Sequence, residues 1–125
     1  MENTILILCA DARETRNLQS LLKGLGAPSL AFSKKEKMAE AIGRTPCLAA
    51  LIDLDSVPLR SRHIKQLVSP SPGLMILCVS RSRYHPELAD AISTDIHACI
   101  AKPVNPEELR FWLKSLREKK GEDQK

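Results

Sequence analysis

The chain has 125 residues and a formal net charge of +4, from nineteen basic and fifteen acidic side chains. That length makes one domain able to bury about two-thirds of its unfolded surface, and an aromatic share of 3% leaves the core to Leu, Ile, Val, Ala and Cys. No apolar run reaches the ~20 residues of a membrane span, and the amino terminus lacks a signal-peptide pattern. A soluble, cytoplasmic protein is therefore expected, and so mild a charge gives no reason to expect direct nucleic-acid binding by this domain. Cys9, Cys47, Cys78 and Cys99 are widely spaced without a CxxC, and three lie in or at the end of apolar runs. Such cysteines act as small hydrophobes, and neither a metal site nor a disulfide framework is expected.

Residues 4–9 (TILILC) form an unbroken apolar run that predicts a buried strand. Asp11 and Glu14 then make a D-x-x-E capping box, Leu18, Leu21, Leu22 and Leu25 recur at helical spacing, and Gly24 and Gly26 end the helix. Residues 29–32 predict a short strand, and a second capping box, Ser33 to Glu36, opens a helix ending near Gly43. Next comes the central run, 48–52 (LAALI), bounded by Pro46 and Pro58 and ending in Asp53, with Asp55 two positions on. A strand so apolar is buried on both faces.

A helix with Ile64, Leu67 and Val68 inward follows, and residues 69–73 (SPSPG) break the chain. Residues 74–79 (LMILCV) predict a strand ending at Ser80, and a helix from His85 and Pro86 carries Leu88, Ala91 and Ile92. Residues 96–101 predict the fifth strand, closed by Lys102 and Pro103. Asn105 caps the last helix, with Pro106 at its first position, Glu107 and Glu108 in its first turn, and Leu109, Trp112, Leu113 and Leu116 as its apolar stripe. The domain is expected over 1–119, with 120–125 a polar tail. The basic residues Arg60, Arg62, Lys65, Arg81 and Arg83 read as solvated loops and helix faces.

Regular alternation of strand and helix implies a parallel sheet with helices on both faces and right-handed crossovers. The fold class expected is therefore α/β, a flavodoxin-like doubly wound five-stranded sheet in the order 2-1-3-4-5. That order gathers Asp11, Asp53, Asp55, Ser80 and Lys102 at the carboxyl ends of neighbouring strands. The turn after the first strand lacks the hydroxyl- and Gly-rich phosphate loop of a flavin-binding domain.

From residue 4 to residue 116 the chain resembles the receiver domains of two-component response regulators. The resemblance is carried by the apolar strand ending in Asp53, the one ending in Ser80, and Lys102-Pro103 followed by Val104-Asn105-Pro106-Glu107-Glu108-Leu109. It implies that Asp53 accepts a phosphoryl group from the phosphohistidine of a histidine kinase or phosphotransfer protein. It further implies Mg2+ held by Asp11, Asp53 and the backbone carbonyl of Asp55, with Lys102 and Ser80 on the phosphoryl oxygens. The signal would be a conformational shift, not catalysis of a released product. Docking or homodimerisation would use the fourth helix, fifth strand and fifth helix. Phe111 and Trp112, about 100° apart on that last helix, cannot share one direction, and Phe111 is the expected exposed contact.

The chain departs from the family pattern at four places. Ala10-Asp11 stands where two adjacent acids are usual, which weakens metal binding. Arg81 follows Ser80 where a small residue is usual, and its guanidinium either reaches Asp11, Asp53 and Asp55 as an internal counterion or points into solvent. Cys99 stands where the family has a switching aromatic. Pro58 falls one position late, which leaves Asp55 as an alternative to Asp53 for the matching acid. These departures support a second expectation, a phosphorylation-independent pseudo-receiver that serves as an interaction module. No effector module is visible in the sequence, so the domain acts alone or as a piece of a longer chain.

Overall fold

The computed structural model describes residues 3–71, 73–82 and 85–123, with side chains described for all of these except 93 and 120–123. Arg83, Pro72 and residues 124–125 lie outside the described residues. Five strands alternate with helices: β1 (Ile5–Leu8), α1 (Ala12–Gly24), β2 (Ser29–Phe32), α2 (Lys35–Ile42), β3 (Ala49–Asp53), α3 (Ser61–Val68), β4 (Met75–Ser80), α4 (Ala89–Thr94), β5 (Ile96–Ala101) and α5 (Pro106–Asp123). The sheet is all parallel in the order β2-β1-β3-β4-β5. This is the doubly wound arrangement that the strand–helix alternation predicts.

Alternation along each strand divides the apolar residues between two cores. Ile5, Ile7, Leu51, Leu77, Val79 and Ile100 pack with Leu18 and Leu22 of α1 and Leu109, Leu113 and Leu116 of α5. Leu6, Leu8, Ile52, Ile76 and Cys78 pack on the other face with Met38 of α2, Ile64 and Leu67 of α3, and Ala91 of α4. A strand buried on both faces has no polar side to show, which is why the central runs are continuous and not alternating.

Several local expectations change in detail. Ser33 does not cap α2: Lys34 is the N-cap, without a side-chain hydrogen bond, because the helix begins at Lys35 and leaves Ser33 outside. The start at His85 and Pro86 is a short 3-10 turn, Pro86–Leu88, ahead of α4. In so short a helix Ile92 faces outward, 44% exposed, while Leu88 and Ala91 are buried. The α5 backbone is helical through Asp123. Its start is as the sequence predicts, with Asn105 Oδ1 accepting the Glu107 N–H at 2.8 Å. Gly26, at φ +75°, closes the chain after α1 in a conformation that favours glycine. Among the described residues no helix is long and apolar enough to cross a membrane, and Cys9 and Cys78 are buried thiols.

Candidate functional site

In a parallel sheet the carboxyl ends of the strands face one rim, and the reversal of strand order between β1 and β3 opens a crevice there. Leu8 pairs with Ile52 across that switch, so Cys9 and Asp53, one residue on, come side by side. Asp53 also pairs with Val79 of β4, and Ser80 with Ala101 of β5. The Lys102 N–H then donates to the Ser80 carbonyl at 3.0 Å, which brings Lys102 out beside Ser80. Strand register alone therefore sets Cys9, Asp53, Ser80 and Lys102 around one point.

Asp53 ends β3 and is 1% exposed. Burying a carboxylate requires partners for both oxygens, and four donors supply them. Oδ1 accepts Lys102 Nζ at 2.6 Å and the Asp55 N–H at 3.2 Å. Oδ2 accepts the Ser56 hydroxyl at 2.8 Å and the Cys9 thiol at 3.3 Å. Of the two acids that the sequence leaves open, Asp53 is thus the strand-end acid inside the pocket.

Asp55 belongs to the loop after β3, and its side chain is 32% exposed at the rim. Its Oδ2 lies 2.9 Å from Lys102 Nζ, so one ammonium bridges two carboxylates. Its carboxylate also accepts the Ser80 hydroxyl at 3.2 Å and the Arg81 backbone N–H at 3.1 Å. Partial burial pushes the Asp55 carboxyl up, and Lys102, the Arg81 amide and Ser80 together outweigh it, so it titrates below its ordinary value. The Lys102 ammonium is held above its own, because the pull of Asp53 and Asp55 exceeds the effect of burial.

Two expected members stand apart. The Asp11 carboxylate is turned onto α1, where Oδ1 accepts the Arg13 and Glu14 N–H groups at 2.9 and 3.2 Å. It is an exposed N-cap. The residue of the β1 end that faces Asp53 is Cys9, one pairing position beyond Leu8. Arg81 takes part through its backbone amide. Its side chain is exposed, and among the described residues no ion pair joins the guanidinium to an acid. The internal counterion of the acids is Lys102.

Cys9 and Ser56 are site residues that the sequence reading omits. Only the β1–β3 register could have pointed to Cys9, whereas Ser56 is signalled by lying three residues after Asp53 in a turn. Ser56 Oγ also accepts the Ala10 N–H at 2.9 Å, which ties the end of β1 to the loop after β3.

Mg2+ requires several oxygen ligands in near-octahedral geometry and is usually held through one or two carboxylates. Here the β1 end offers a thiol and a methyl group, Asp11 is spent on the helix, and both Asp53 oxygens already have donors. Among the described residues no group of three or more His, Cys, Asp or Glu side chains is placed to hold a metal ion. The residues present do not fit Mg2+.

At the side of the molecule, β5 and α5 form a second feature. Phe111 is 61% exposed, and its ring meets Trp112 edge-on at 4.9 Å. Trp112 meets the ring of His97 edge-on at 5.5 Å. Cys99 is exposed on the same strand, paired with the buried Cys78 of β4.

The sequence matches no protein-family model and no curated protein. Solved structures are similar. A response regulator receiver domain protein from Methanospirillum hungatei is 20% identical with a TM-score of 0.83, over 98% of this chain and 99% of that one. The receiver domain of a sensor histidine kinase from Pseudomonas aeruginosa, crystallised with magnesium in its active-site cleft, is 16% identical with a TM-score of 0.75, over 93% and 98%. An adenylate cyclase from Rhodopirellula baltica is 14% identical with a TM-score of 0.74, over 93% and 87%. The chain has the receiver fold, and at these identities the likeness speaks for the fold alone.

Proposed function

We propose that this chain is a receiver-fold signalling module of the pseudo-receiver kind, which works through protein contacts and does not need phosphorylation. The observation that carries this reading is the end of β1, where Cys9 and Ala10 give Asp53 no neighbouring carboxylate with which to hold a divalent cation. A phosphoryl group added to Asp53 would place further negative charge beside Asp55, with Lys102, among the described residues, the one cation bridging both acids. Like charges at such separations are costly in a partly dry site. Lys102 neutralises Asp53 in the resting chain, while Ser56 and Cys9 close its second oxygen. The working surface on this reading is the α4–β5–α5 side, with Phe111 as its exposed anchor, and the partner is a protein.

A second reading rests on a different observation. Asp53, Ser80 and Lys102 do converge at three adjacent strand ends, the arrangement that the resemblance assigns to phosphoryl acceptance from a histidine kinase or phosphotransfer protein. Calorimetric titration with Mg2+ separates the two. The first reading expects no saturable binding at millimolar Mg2+ in the wild type, and its appearance in Ala10→Asp. Saturable wild-type binding that disappears in Asp53→Asn would overturn it in favour of the second.

A further inference from the structure

We propose that Cys99 is a thiol-oxidation site and Cys78 its resolving thiol, so that a hydroperoxide joins β5 to β4 through a Cys78–Cys99 disulfide. The inference goes beyond the reading above and does not rest on it. Cys78 pairs directly with Cys99 across the β4–β5 ladder. Residues paired in this way point to the same face of the sheet, on strands about 4.8 Å apart. That spacing falls within the ~4.4–6.8 Å Cα separation usual for disulfides. Because β5 is an edge strand, one thiol of the pair reaches the surface while the other stays in the core: Cys99 is exposed and Cys78 is buried. A cleft of about 350 Å3, lined by Ser82, Cys99, Ile100, Ala101 and Glu108, gives a small oxidant access to Cys99.

The two thiols have unequal tasks. Cys78 stabilises the Cys99 thiolate and, with a smaller contribution from His85, outweighs partial burial, holding that thiol down to about 7. About half of it is therefore ionised at neutral pH, and the thiolate is the nucleophile. Cys78, buried beside that anion, is pushed well above its ordinary value and stays protonated. The His85 side chain is held close by, with Nε2 2.8 Å from the Ser82 carbonyl oxygen, and Glu108 is the acid on the α5 side of the cleft. In the first step the Cys99 thiolate attacks the outer oxygen of the hydroperoxide. The O–O bond breaks, and the alcohol (water, from hydrogen peroxide) leaves with the electron pair and a proton from solvent. Cys99 is then a sulfenic acid, oxidised by two electrons. The Cys78 sulfur attacks the Cys99 sulfur, the S–O bond breaks, and the oxygen leaves as water with the Cys78 proton. The disulfide consumes the exposed thiol of β5 and fixes the edge strand covalently to its neighbour.

The test treats the folded wild-type chain with hydrogen peroxide in slight molar excess at neutral pH, then blocks remaining thiols with iodoacetamide in denaturant. Unreduced tryptic peptides are mapped by mass spectrometry, since trypsin cuts at Arg81 and Arg83, between the two cysteines. The expected product is a Cys78–Cys99 linked peptide that dithiothreitol separates, with Cys9 and Cys47 alkylated. In Cys78→Ala the Cys99 sulfenic acid should persist and be trapped by dimedone, in a yield about tenfold or more above wild type. In Cys99→Ser the oxidation of Cys78 should fall about tenfold or more, because no thiolate remains to meet the peroxide. Recovery of both Cys78 and Cys99 as alkylated peptides, a Cys99–Cys99 link between two molecules, or equal oxidation of Cys78 in Cys99→Ser overturns the proposal. Should Cys78→Ala not fold, Cys99→Ser, a change at an exposed position of the edge strand, decides the matter.

Discussion

Replacing Lys102 by Met removes the ammonium that bridges Asp53 and Asp55 while keeping most of the stem volume. Asp53 is left 1% exposed with three neutral donors, the Asp55 N–H, Ser56 and Cys9. Breaking a buried ion pair from one side costs about 3–5 kcal/mol, and the remaining hydrogen bonds place this case near the lower end. The Asp55 contact adds little, because that side chain is 32% exposed and well screened. At roughly 2.1 cal/mol/K per residue, unfolding this chain releases about 0.26 kcal/mol/K, so a loss of ~3 kcal/mol lowers Tm by about 11 °C. Urea and thermal melts at neutral pH and low salt measure it. Adding Asp53→Asn to Lys102→Met should return stability to within about 1 kcal/mol of wild type, because the uncompensated charge has gone. A single variant within about 0.5 kcal/mol of wild type, or a double variant no better than the single, would refute the view that Lys102 is the counterion of the buried acid.

The same pair sets the pH dependence. Asp55 is lowered from 3.8, so its contribution is present above that pH and is lost as pH falls through its folded value. Lys102 is raised from 10.5, so its contribution is present below that pH and is lost as pH rises through the folded value. Chemical denaturation across pH should show both limbs, and Lys102→Met should lack the alkaline one. Phe111→Ala should leave Tm nearly unchanged, within about 0.5 kcal/mol, while weakening partner binding or self-association in sedimentation; a larger stability loss would place Phe111 in the core. Iodoacetamide labelling of Cys99 should be half-maximal near pH 7, because the Cys78 thiol holds it down to about 7 against the effect of burial, with help from His85. Cys78→Ala should move that midpoint up toward the ordinary 9.0, and an unmoved midpoint would show that the two thiols do not interact.

The fold was readable because the central apolar runs fit strands buried on both faces, and their alternation with helical periodicity left few topologies. The runs at 48–52 and 74–79 match β3 and β4 to within a residue at each end. The site was readable as far as it depends on which residue ends a strand, as with Asp53 and Ser80. What periodicity does not carry is register between strands. The pairing of Leu8 with Ile52 decides that Cys9, not Asp11, meets Asp53, and nothing in residues 4–11 taken alone encodes it. Arg81 shows a second limit. Its guanidinium invited a role as counterion, but the group that reaches Asp55 is its backbone N–H, which any residue except Pro would supply. The exposure of Phe111 was legible in its position next to the buried stripe of α5.

The central claim, a pocket closed on itself, is tested most directly by intact-mass and peptide-mapping spectrometry of the wild-type chain after incubation with a small phosphodonor and Mg2+. Neither Asp53 nor Asp55 should gain a phosphoryl group, while Ala10→Asp, with a second acid at the end of β1, should gain one on Asp53. A phosphoryl group on wild-type Asp53, absent from Asp53→Asn, would contradict it.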